Sequence, residues 1–274
     1  GVLLLRQADR LLGLTGQVAR GLADERQPGK VRHRLIDMLR QRVFGIALGY
    51  EDLIDHDRLR HDPVLAVLAG KLRARRSNCA PLAGKSTLNR LEHAPAAALD
   101  RYHKIGHDPK AIERLFVDLF LEAHRQPPEE IVLDLDATDD PVHGHQEGRF
   151  FHGYYDGYCY LPLYIFCGRH LLAAKLRRAN IDASAGAVEE ITRIVAQIRA
   201  RWPQVRILLR ADSGFARDEL MTWCEANGVG YVFGLARNDR LLAEIEPALA
   251  EAKAEHVVTG EAARRFCDFT YRTR

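Results

Sequence analysis

Three aspartates stand where two predicted strands end. Asp134 and Asp136 alternate along EEIVLDLDATDD, a short run of apolar and β-branched residues, and Asp212 follows the similar run VRILLRADSG. Carboxylates at the ends of central strands can converge on one point, and hard oxygen ligands are what Mg²⁺ or Mn²⁺ requires. Two such ions about 4 Å apart can activate a water or a 3′-hydroxyl for a phosphodiester displacement. The three aspartates therefore predict a metal site for phosphoryl chemistry.

A lone aspartate at the end of a strand more often caps a turn or the following helix. The order of elements favours a shared site over separate caps, because residues 128–236 predict three strands, a helix, a strand, a helix and a strand. The segments, in chain order, are EEIVLDLDATDD, YYDGYCYLPLYIFCG, RHLLAAKLRRAN, SAGAVEEITRIVAQIRARW, VRILLRADSGFA, RDELMTWCEANG and VGYVFGLA. The second and third predict a hairpin that continues the same sheet. Acids on the first and fourth strands match a ribonuclease H-like arrangement, so we predict an α/β fold with a mixed sheet.

The chain before these strands has a helical period. Leu35, Met38, Leu39, Val43 and Ile46 recur at three-to-four-residue spacing, as expected for an amphipathic helix packed on a core. A double proline at 127–128 then breaks the pattern. We predict a basic, helical, DNA-binding domain over 1–126 and a catalytic core over 127–240. Residues 241–274, whose last segment RRFCDFTYRTR alternates like an exposed strand, are expected to begin an inserted β-rich region.

Composition and charge limit the class of protein. The 274 residues are 47% hydrophobic and 28% charged, which is typical of a folded domain, and no apolar run is long enough for a membrane span or a signal peptide. We therefore expect a cytoplasmic protein. Residues 1–127 carry 22 basic and 15 acidic side chains, whereas residues 128–274 carry 18 and 22. The split suits an enzyme that holds nucleic acid with its basic part and metal with its acidic part, although ordinary charge fluctuation also explains it.

Several longer segments resemble a known family. LDLDATDDPVHGHQEG, GYCYLPLYIF, LRRANIDASAGA, LRADSGFARDEL and RQRVFGIALGYEDLIDHDRLRHDP are similar to the DDE-domain transposases of bacterial insertion sequences, in the subgroup described as transposase DDE domain group 1. The resemblance covers nearly the whole chain. It implies a ribonuclease H-like catalytic fold, a pair of Mg²⁺ or Mn²⁺ ions, and cleavage and strand transfer at transposon ends. Double-stranded DNA is the implied partner, as terminal inverted repeats and as target, with a homodimer assembled on it near the nucleoid.

The resemblance also assigns the aspartates. Asp136, in the triplet DAT, matches the first catalytic carboxylate of the family, and Asp212, in RADSGF, matches the second. Asp134 is the rival for the first role and a further candidate metal ligand. The third family acid is a Glu on a helix that follows an inserted β-rich region, and no segment here matches it. The chain is thus expected to be truncated at its C-terminus and inactive on its own.

Basic and polar side chains outside the aspartate cluster are candidate DNA contacts. The run KLRARR is dense in charge, and LAGKSTLNRLEHA suits the second helix of a helix-turn-helix, although solvated charge and a plain core helix are the ordinary alternatives. Two further arginines follow the third predicted strand. The candidates are Lys71, Arg73, Arg75, Arg76, Lys85, Asn89, Arg90, Arg177 and Arg178.

Two other functions fit the same residues. A truncated relative that keeps DNA affinity and lacks catalysis would bind DNA in a salt-sensitive way without turnover. A nuclease of ribonuclease H-like fold would cleave DNA without joining it. Strand-transfer products distinguish a transposase from both.

Overall fold

The protein forms two compact units of chain. The computed structural model describes residues 2–71, 82–96 and 102–271. The first unit comprises Gly1–Pro127 with His170–Ala173 and Arg193–Gln204, and the second comprises Pro128–Arg169, Ala174–Thr192 and Val205–Arg274. The proposed division into three domains stays a prediction, since these units are defined by contacts within the chain rather than by function.

The first unit is mainly helical up to residue 127. Its described helices are α1 (Leu3–Leu12), α2 (Leu14–Arg20), α3 (Leu35–Ala47), α4 (His56–Leu59), α5 (Pro63–Ala69), α6 (Lys85–Glu92) and α7 (Pro109–Ala123). Two short strands, β1 (Leu22–Asp24) and β2 (Ile105–His107), pair antiparallel.

The helices form where capping and apolar spacing agree. The side chain of Asp62 accepts hydrogen bonds from the backbone N–H groups of Val64 and Leu65, Pro63 stands at the first helical position, and Gly70 ends α5 in the left-handed conformation at φ 85°. On α3 the apolar face buries Met38 and Phe44. The helical prediction for this part of the chain is therefore confirmed for the described residues.

The second unit is built on strands that follow residue 128. They are β3 (Glu130–Ala137), β4 (Asp140–Pro141), β5 (Phe150–His152), β6 (Gly157–Tyr160), β7 (Leu163–Cys167), β8 (His170–Lys175), β9 (Arg206–Ala211) and β10 (Gly230–Phe233). Helix α8 (Ala187–Arg201) precedes β9, and α9 (Asp218–Ala226) precedes β10. Helix α10 (Asp239–Thr259) comes last. The segments His170–Ala173 and Arg193–Gln204 belong to the first unit, so β8 and α8 are divided between the units.

The main sheet has five strands in the order β10-β9-β3-β7-β8. Strand β7 runs antiparallel to β3, whereas β9 is parallel to β3 and β10 is parallel to β9. Numbered by their order along the chain, these five neighbouring strands are the fifth, fourth, first, second and third. Alternate residues of β3 are buried, with Ile131 and Leu133 fully inaccessible, as a central strand requires. This mixed sheet confirms the predicted α/β, ribonuclease H-like fold.

Two local predictions are wrong. The segment YYDGYCY does not extend the main sheet, because β6 joins β4 and β5 in a separate three-stranded sheet. The exposed strand expected near the C-terminus is also missing. Residues 264–271 have no regular structure, and the apolar Val257 and Val258 before them belong to α10.

The helices and cysteines add two observations. No described helix is long and apolar enough to cross a membrane. Cys159, Cys167, Cys224 and Cys267 are free thiols.

Candidate active site

Asp136 and Asp212 come together because β3 and β9 share one register. The parallel pairing runs from Glu130 beside Arg206 to Leu135 beside Ala211. Asp136 follows Leu135, and Asp212 follows Ala211. If the register is continued by one residue, Asp136 corresponds to Asp212. On its other side Asp136 pairs with Tyr164 of β7. The structure thus supports the interpretation that acids from the first and fourth strands meet at one edge of the sheet.

A tight turn orients Asp212. The turn Ser213–Phe215 follows β9, and the carboxylate oxygen Oδ1 of Asp212 accepts a hydrogen bond from the backbone N–H of Gly214 at 2.9 Å. Asp212, rather than Ser213, therefore caps this turn. Gly234, just after β10, lies so close that a Cβ atom there would stand 3.1 Å from the backbone nitrogen of Ser213. The backbone of Asp212 is consequently fixed from two sides.

Asp134 is occupied by an arginine. Arg210, its neighbour in the β3–β9 register, donates two hydrogen bonds to the carboxylate, at 2.6 and 3.0 Å. This contact raises the pKa of the Arg210 guanidinium. A carboxylate whose oxygens both accept from a guanidinium is a poor metal ligand, because the two cations compete for the same lone pairs. The arrangement favours Asp136 over Asp134 as the ligand from β3.

The remaining carboxylate oxygens fit a divalent cation. The side chain of Asp136 is exposed and has no hydrogen-bond or ion-pair partner among the described residues. The side chain of Asp212 is also exposed, and one of its carboxylate oxygens accepts the Gly214 N–H. Two adjacent carboxylates with open oxygens suit a hard cation such as Mg²⁺. Within residues 2–71, 82–96 and 102–271, no group of three or more His, Cys, Asp or Glu side chains is arranged to hold a metal ion. The candidate site is therefore Asp136 and Asp212, with no third such ligand in the part of the chain that the structure describes.

Tyr155 is a neighbour of the aspartates that the sequence did not indicate. Its hydroxyl donates to the backbone carbonyl of Ala137, at the end of β3, over 3.4 Å. Burial raises the pKa of Tyr155, and the negative charges of Asp139, Tyr154, Asp136 and Asp212 raise it further. The phenol therefore lies within the electrostatic field of the candidate site. In the sequence, Tyr155 is one aromatic residue of the run GYYDGY, and no pattern there links it to β3 or β9.

A loop between β8 and α8 packs beside the Asp212 turn. A Cβ atom on Gly214 would lie 3.1 Å from the Cβ of Ala183. Asp182 accepts hydrogen bonds from the backbone and hydroxyl of Ser184 and from Arg217, at 2.7 to 2.9 Å. The pKa of Asp182 is lowered to about 2, chiefly by the hydrogen bond from Arg217. These contacts hold the loop against the turn that presents Asp212.

Arg177 stabilises the same loop and is corrected from a DNA contact to a structural residue. Its side chain is buried and donates hydrogen bonds to the carbonyl oxygens of Leu161, Ala183 and Ala185, at 2.6 to 3.1 Å. A guanidinium held by three backbone carbonyls inside the fold cannot reach DNA phosphate. Arg178, by contrast, is exposed and keeps its predicted role as an expectation.

The other candidate DNA contacts lie in the first unit. Helix α6 buries Leu88 and Leu91 and exposes the three residues predicted from its sequence. These are Lys85, Asn89 and Arg90. Lys71 is half-buried, and its ammonium donates to Nδ1 of His33 at 2.9 Å. Arg73, Arg75 and Arg76 lie outside the described residues.

The strand order is that of a ribonuclease H-like domain. The chain belongs to the transposase DDE domain group 1 family, whose model matches residues 1–274. The resemblance inferred from the sequence is therefore confirmed. The sequence has no significant match among curated proteins.

Solved structures of transposases show low similarity to this chain. The catalytic domain of Mos1 mariner transposase is 9% identical, with a TM-score of 0.30, and the match covers 57% of this chain and 74% of that one. A piggyBac transposase synaptic complex with hairpin DNA is 13% identical, with a TM-score of 0.39. That match covers 84% of this chain and 48% of the piggyBac chain, so the chain spans about half of that relative.

Proposed function

We propose that the protein is a DNA transposase in which Asp136 and Asp212 hold the catalytic divalent metal. The observation that carries the proposal is the parallel register of β3 and β9, whose last pair, Leu135 beside Ala211, directly precedes Asp136 and Asp212. Family membership supports transposition as the general activity. The metal-dependent step and the roles of the two aspartates are our assignment.

Each residue of the proposed site would have a different role. Mg²⁺ or Mn²⁺ bound here would activate the attacking hydroxyl and stabilise the leaving oxygen of a phosphodiester. Asp136 would supply an unpaired carboxylate, and Asp212 would supply the oxygen that the Gly214 N–H leaves open. Arg210 keeps Asp134 neutralised, which limits the negative charge that an approaching phosphate must overcome. Tyr155 borders the site and donates its single hydroxyl hydrogen to the carbonyl oxygen of Ala137, so its role would be to hold the end of β3.

The substrate is proposed to be double-stranded DNA at the terminal inverted repeats of a bacterial insertion sequence. Exposed polar side chains of α6 and the exposed Arg178 would contact its backbone or grooves. We further propose that the protein acts as a homodimer in the bacterial cytoplasm, one protomer for each transposon end.

A cleavage and joining assay tests this function. The substrate is DNA carrying the inverted repeats that flank the gene, with Mg²⁺ or Mn²⁺ added to a chain that includes any downstream in-frame sequence. We expect nicked ends and strand-transfer products that disappear with Asp136→Asn or Asp212→Asn. Full activity in both variants would exclude the assigned site, and cleavage without joined products would favour a nuclease.

A DNA-binding protein without catalysis is the second candidate. It is favoured by one observation, that no third carboxylate joins the two aspartates in the parts of the chain described. This candidate predicts salt-sensitive DNA binding and no turnover with Mn²⁺ for the 274-residue chain. A downstream helical Glu that restores cleavage would decide for the transposase.

A further inference from the structure

Basic side chains from two separate segments, residues 26–32 and Arg60, line one cleft of the first unit. The cleft has a volume of about 340 Å³, and its lining includes Arg26 and Lys30 near β1, Arg32 before α3, and Arg60 after α4. The hydroxyl residues Ser86 and Thr87, in the first turn of α6, complete it. Hydroxyls and N–H groups at a helix start favour anions, and they add to the charge of the arginines and the lysine.

Most of this positive charge is uncompensated. Arg26 is paired with Asp24, to which it donates two hydrogen bonds of 2.7 Å. Lys30, Arg32 and Arg60 have no ion-pair partner among the described residues.

Two polar groups at the cleft are a buried guanidinium nitrogen and a carboxylate. The Nε atom of Arg60 is buried without a hydrogen-bond partner in the described chain. Asp57, the one acidic residue among the described lining residues, accepts from the backbone nitrogen of Lys85 at 3.1 Å and pairs with its ammonium at 3.5 Å. Lys85 therefore offsets the charge of Asp57, and the net charge of the cleft lining remains positive.

A buried histidine reports the electrostatic potential there. His33 lines the cleft, and burial together with the positive charges of Lys71, Arg32, Arg60 and Arg26 lowers its pKa to about 4. Its Nδ1 accepts from the Lys71 ammonium, which leaves Nε2 as the nitrogen that carries the proton. Cations surround a neutral imidazole, so this position lacks an anion that would balance them.

We propose that this cleft binds a phosphodiester group of the DNA backbone. The site rests on the proposed function in its choice of DNA, but it is separate from the candidate active site and needs no metal. Arg32 and Arg60 would donate charge-assisted hydrogen bonds to the phosphate oxygens, with Lys30 adding charge and the hydroxyls of α6 adding neutral donors. Such a contact positions the duplex without reading its sequence.

The first experiment uses His33 as a probe in the intact chain. The protein carries ¹⁵N-labelled histidine and is titrated with a short duplex DNA of arbitrary sequence, and separately with inorganic phosphate, in the presence of EDTA. We expect both to shift the His33 signals and to raise the pKa of His33, because a bound anion favours the charged imidazole. His33 signals that stay unchanged at saturating duplex DNA would overturn the proposal. A response to phosphate but not to duplex would overturn the choice of DNA.

The second experiment compares charge-removing variants. Arg32→Gln and Arg60→Gln are each expected to weaken duplex binding about tenfold, and to lower the slope of log affinity against log salt by about 0.9. Arg125→Gln removes the same charge from an exposed position of the first unit outside the cleft and should change affinity less than about twofold. Variants that bind as tightly as this control would refute the cleft, whether or not the protein cuts DNA. A shifted His33 and weakened variants in a protein that never cleaves DNA would uphold the cleft and reject the enzyme.

Discussion

Arg210 lies beside Asp134 across two parallel strands and donates to both of its carboxylate oxygens, at 2.6 and 3.0 Å. Two residues further along the same strand, Asp136 has no such partner in the described chain. We expect Asp136→Asn to lower metal-dependent cleavage about a thousandfold, equivalent to ~4 kcal/mol of transition-state stabilisation. Asp134→Asn should change it less than about tenfold. Cleavage rates and Mn²⁺ affinity by calorimetry measure both, and the reverse order would make Asp134 the ligand.

Gly234 is expected to be required for the position of Asp212. In Gly234→Ala the new Cβ would lie 3.1 Å from the Ser213 nitrogen and 3.3 Å from the Asp212 carbonyl carbon, and neither backbone atom can move independently. We expect at least a tenfold loss of Mn²⁺ affinity and a loss of about 1 to 3 kcal/mol in the free energy of unfolding. Gly230→Ala, at the start of β10, is the matched control, since its Cβ would meet the flexible end of Leu208 at 3.1 Å and the carbonyl oxygen of Ile207 at an ordinary contact distance of 3.7 Å. Equal Mn²⁺ affinities for the two variants would contradict this role.

Asp182 should make stability depend on pH in the acid range. Its pKa is about 2 in the folded protein because Arg217 and Ser184 donate to the carboxylate, whereas an unfolded aspartate has a pKa of about 3.9. The stabilising contribution is therefore complete above about pH 4 and is lost as the pH falls through about 2. Because the pair is exposed, the effect is small.

Thermal unfolding between these pH values measures the contribution of Asp182. In Asp182→Asn we expect a flatter dependence of the midpoint temperature on pH. Since the loop lies against the Asp212 turn, the variant should also bind Mn²⁺ more weakly. A pH profile identical to that of the unchanged protein would show that Asp182 titrates normally in the fold.

Tyr155 offers a spectroscopic test of the metal site that does not require turnover. Negative charges, including those of Asp136 and Asp212, contribute to its raised pKa. Binding of Mg²⁺ should neutralise part of this charge and lower the pKa of Tyr155. An ultraviolet titration of tyrosinate, with Tyr155→Phe used to identify the signal, measures the shift. Asp136→Asn should lower the pKa without metal, and a Tyr155 signal insensitive to both changes would remove the phenol from the site.

Gln41 joins α3 to the chain before α6. Its amide donates to the carbonyl oxygen of Ala83 at 2.7 Å and accepts from the Ala83 nitrogen at 2.9 Å, and the side chain is 1% exposed. Gln41→Leu would leave two buried backbone groups without partners, so we expect a loss of about 2 to 5 kcal/mol in the free energy of unfolding. Denaturant unfolding measures it. Gln7→Leu on exposed α1 should have little effect, and a similar loss in both variants would refute the explanation.

The main sheet and its two acids were predictable because each strand carries its own signal. Ile131, Leu133 and Leu135 alternate along the first strand, and an aspartate lies near the end of β3 and directly after β9, so position along the strand predicts which sheet edge each acid occupies. The family resemblance led to the same two residues. None of this reasoning needed contacts between distant parts of the chain.

The parts that sequence missed depend on such contacts. Arg210 was not recognised as the partner of Asp134, because only the register between β3 and β9 brings them together. Arg177 looks like a surface residue by composition, yet backbone carbonyls from two segments converge on it. The prediction of a strand near the C-terminus was wrong for a different reason. The segment RRFCDFTYRTR alternates as a strand does, but its described residues 264–271 pair with no other strand, and alternation alone does not supply a partner.

The register between β3 and β9 has an evolutionary consequence. Leu135 and Ala211, the residues before Asp136 and Asp212, are paired between β3 and β9, while the chain between the two aspartates runs through other strands, loops and α8. Loops there can lengthen or shorten among homologues without separating the carboxylates. A single residue inserted within either strand, however, would turn the aspartate to the opposite face of the sheet. Insertions and deletions should therefore accumulate in the loops and be purged from these two short strands.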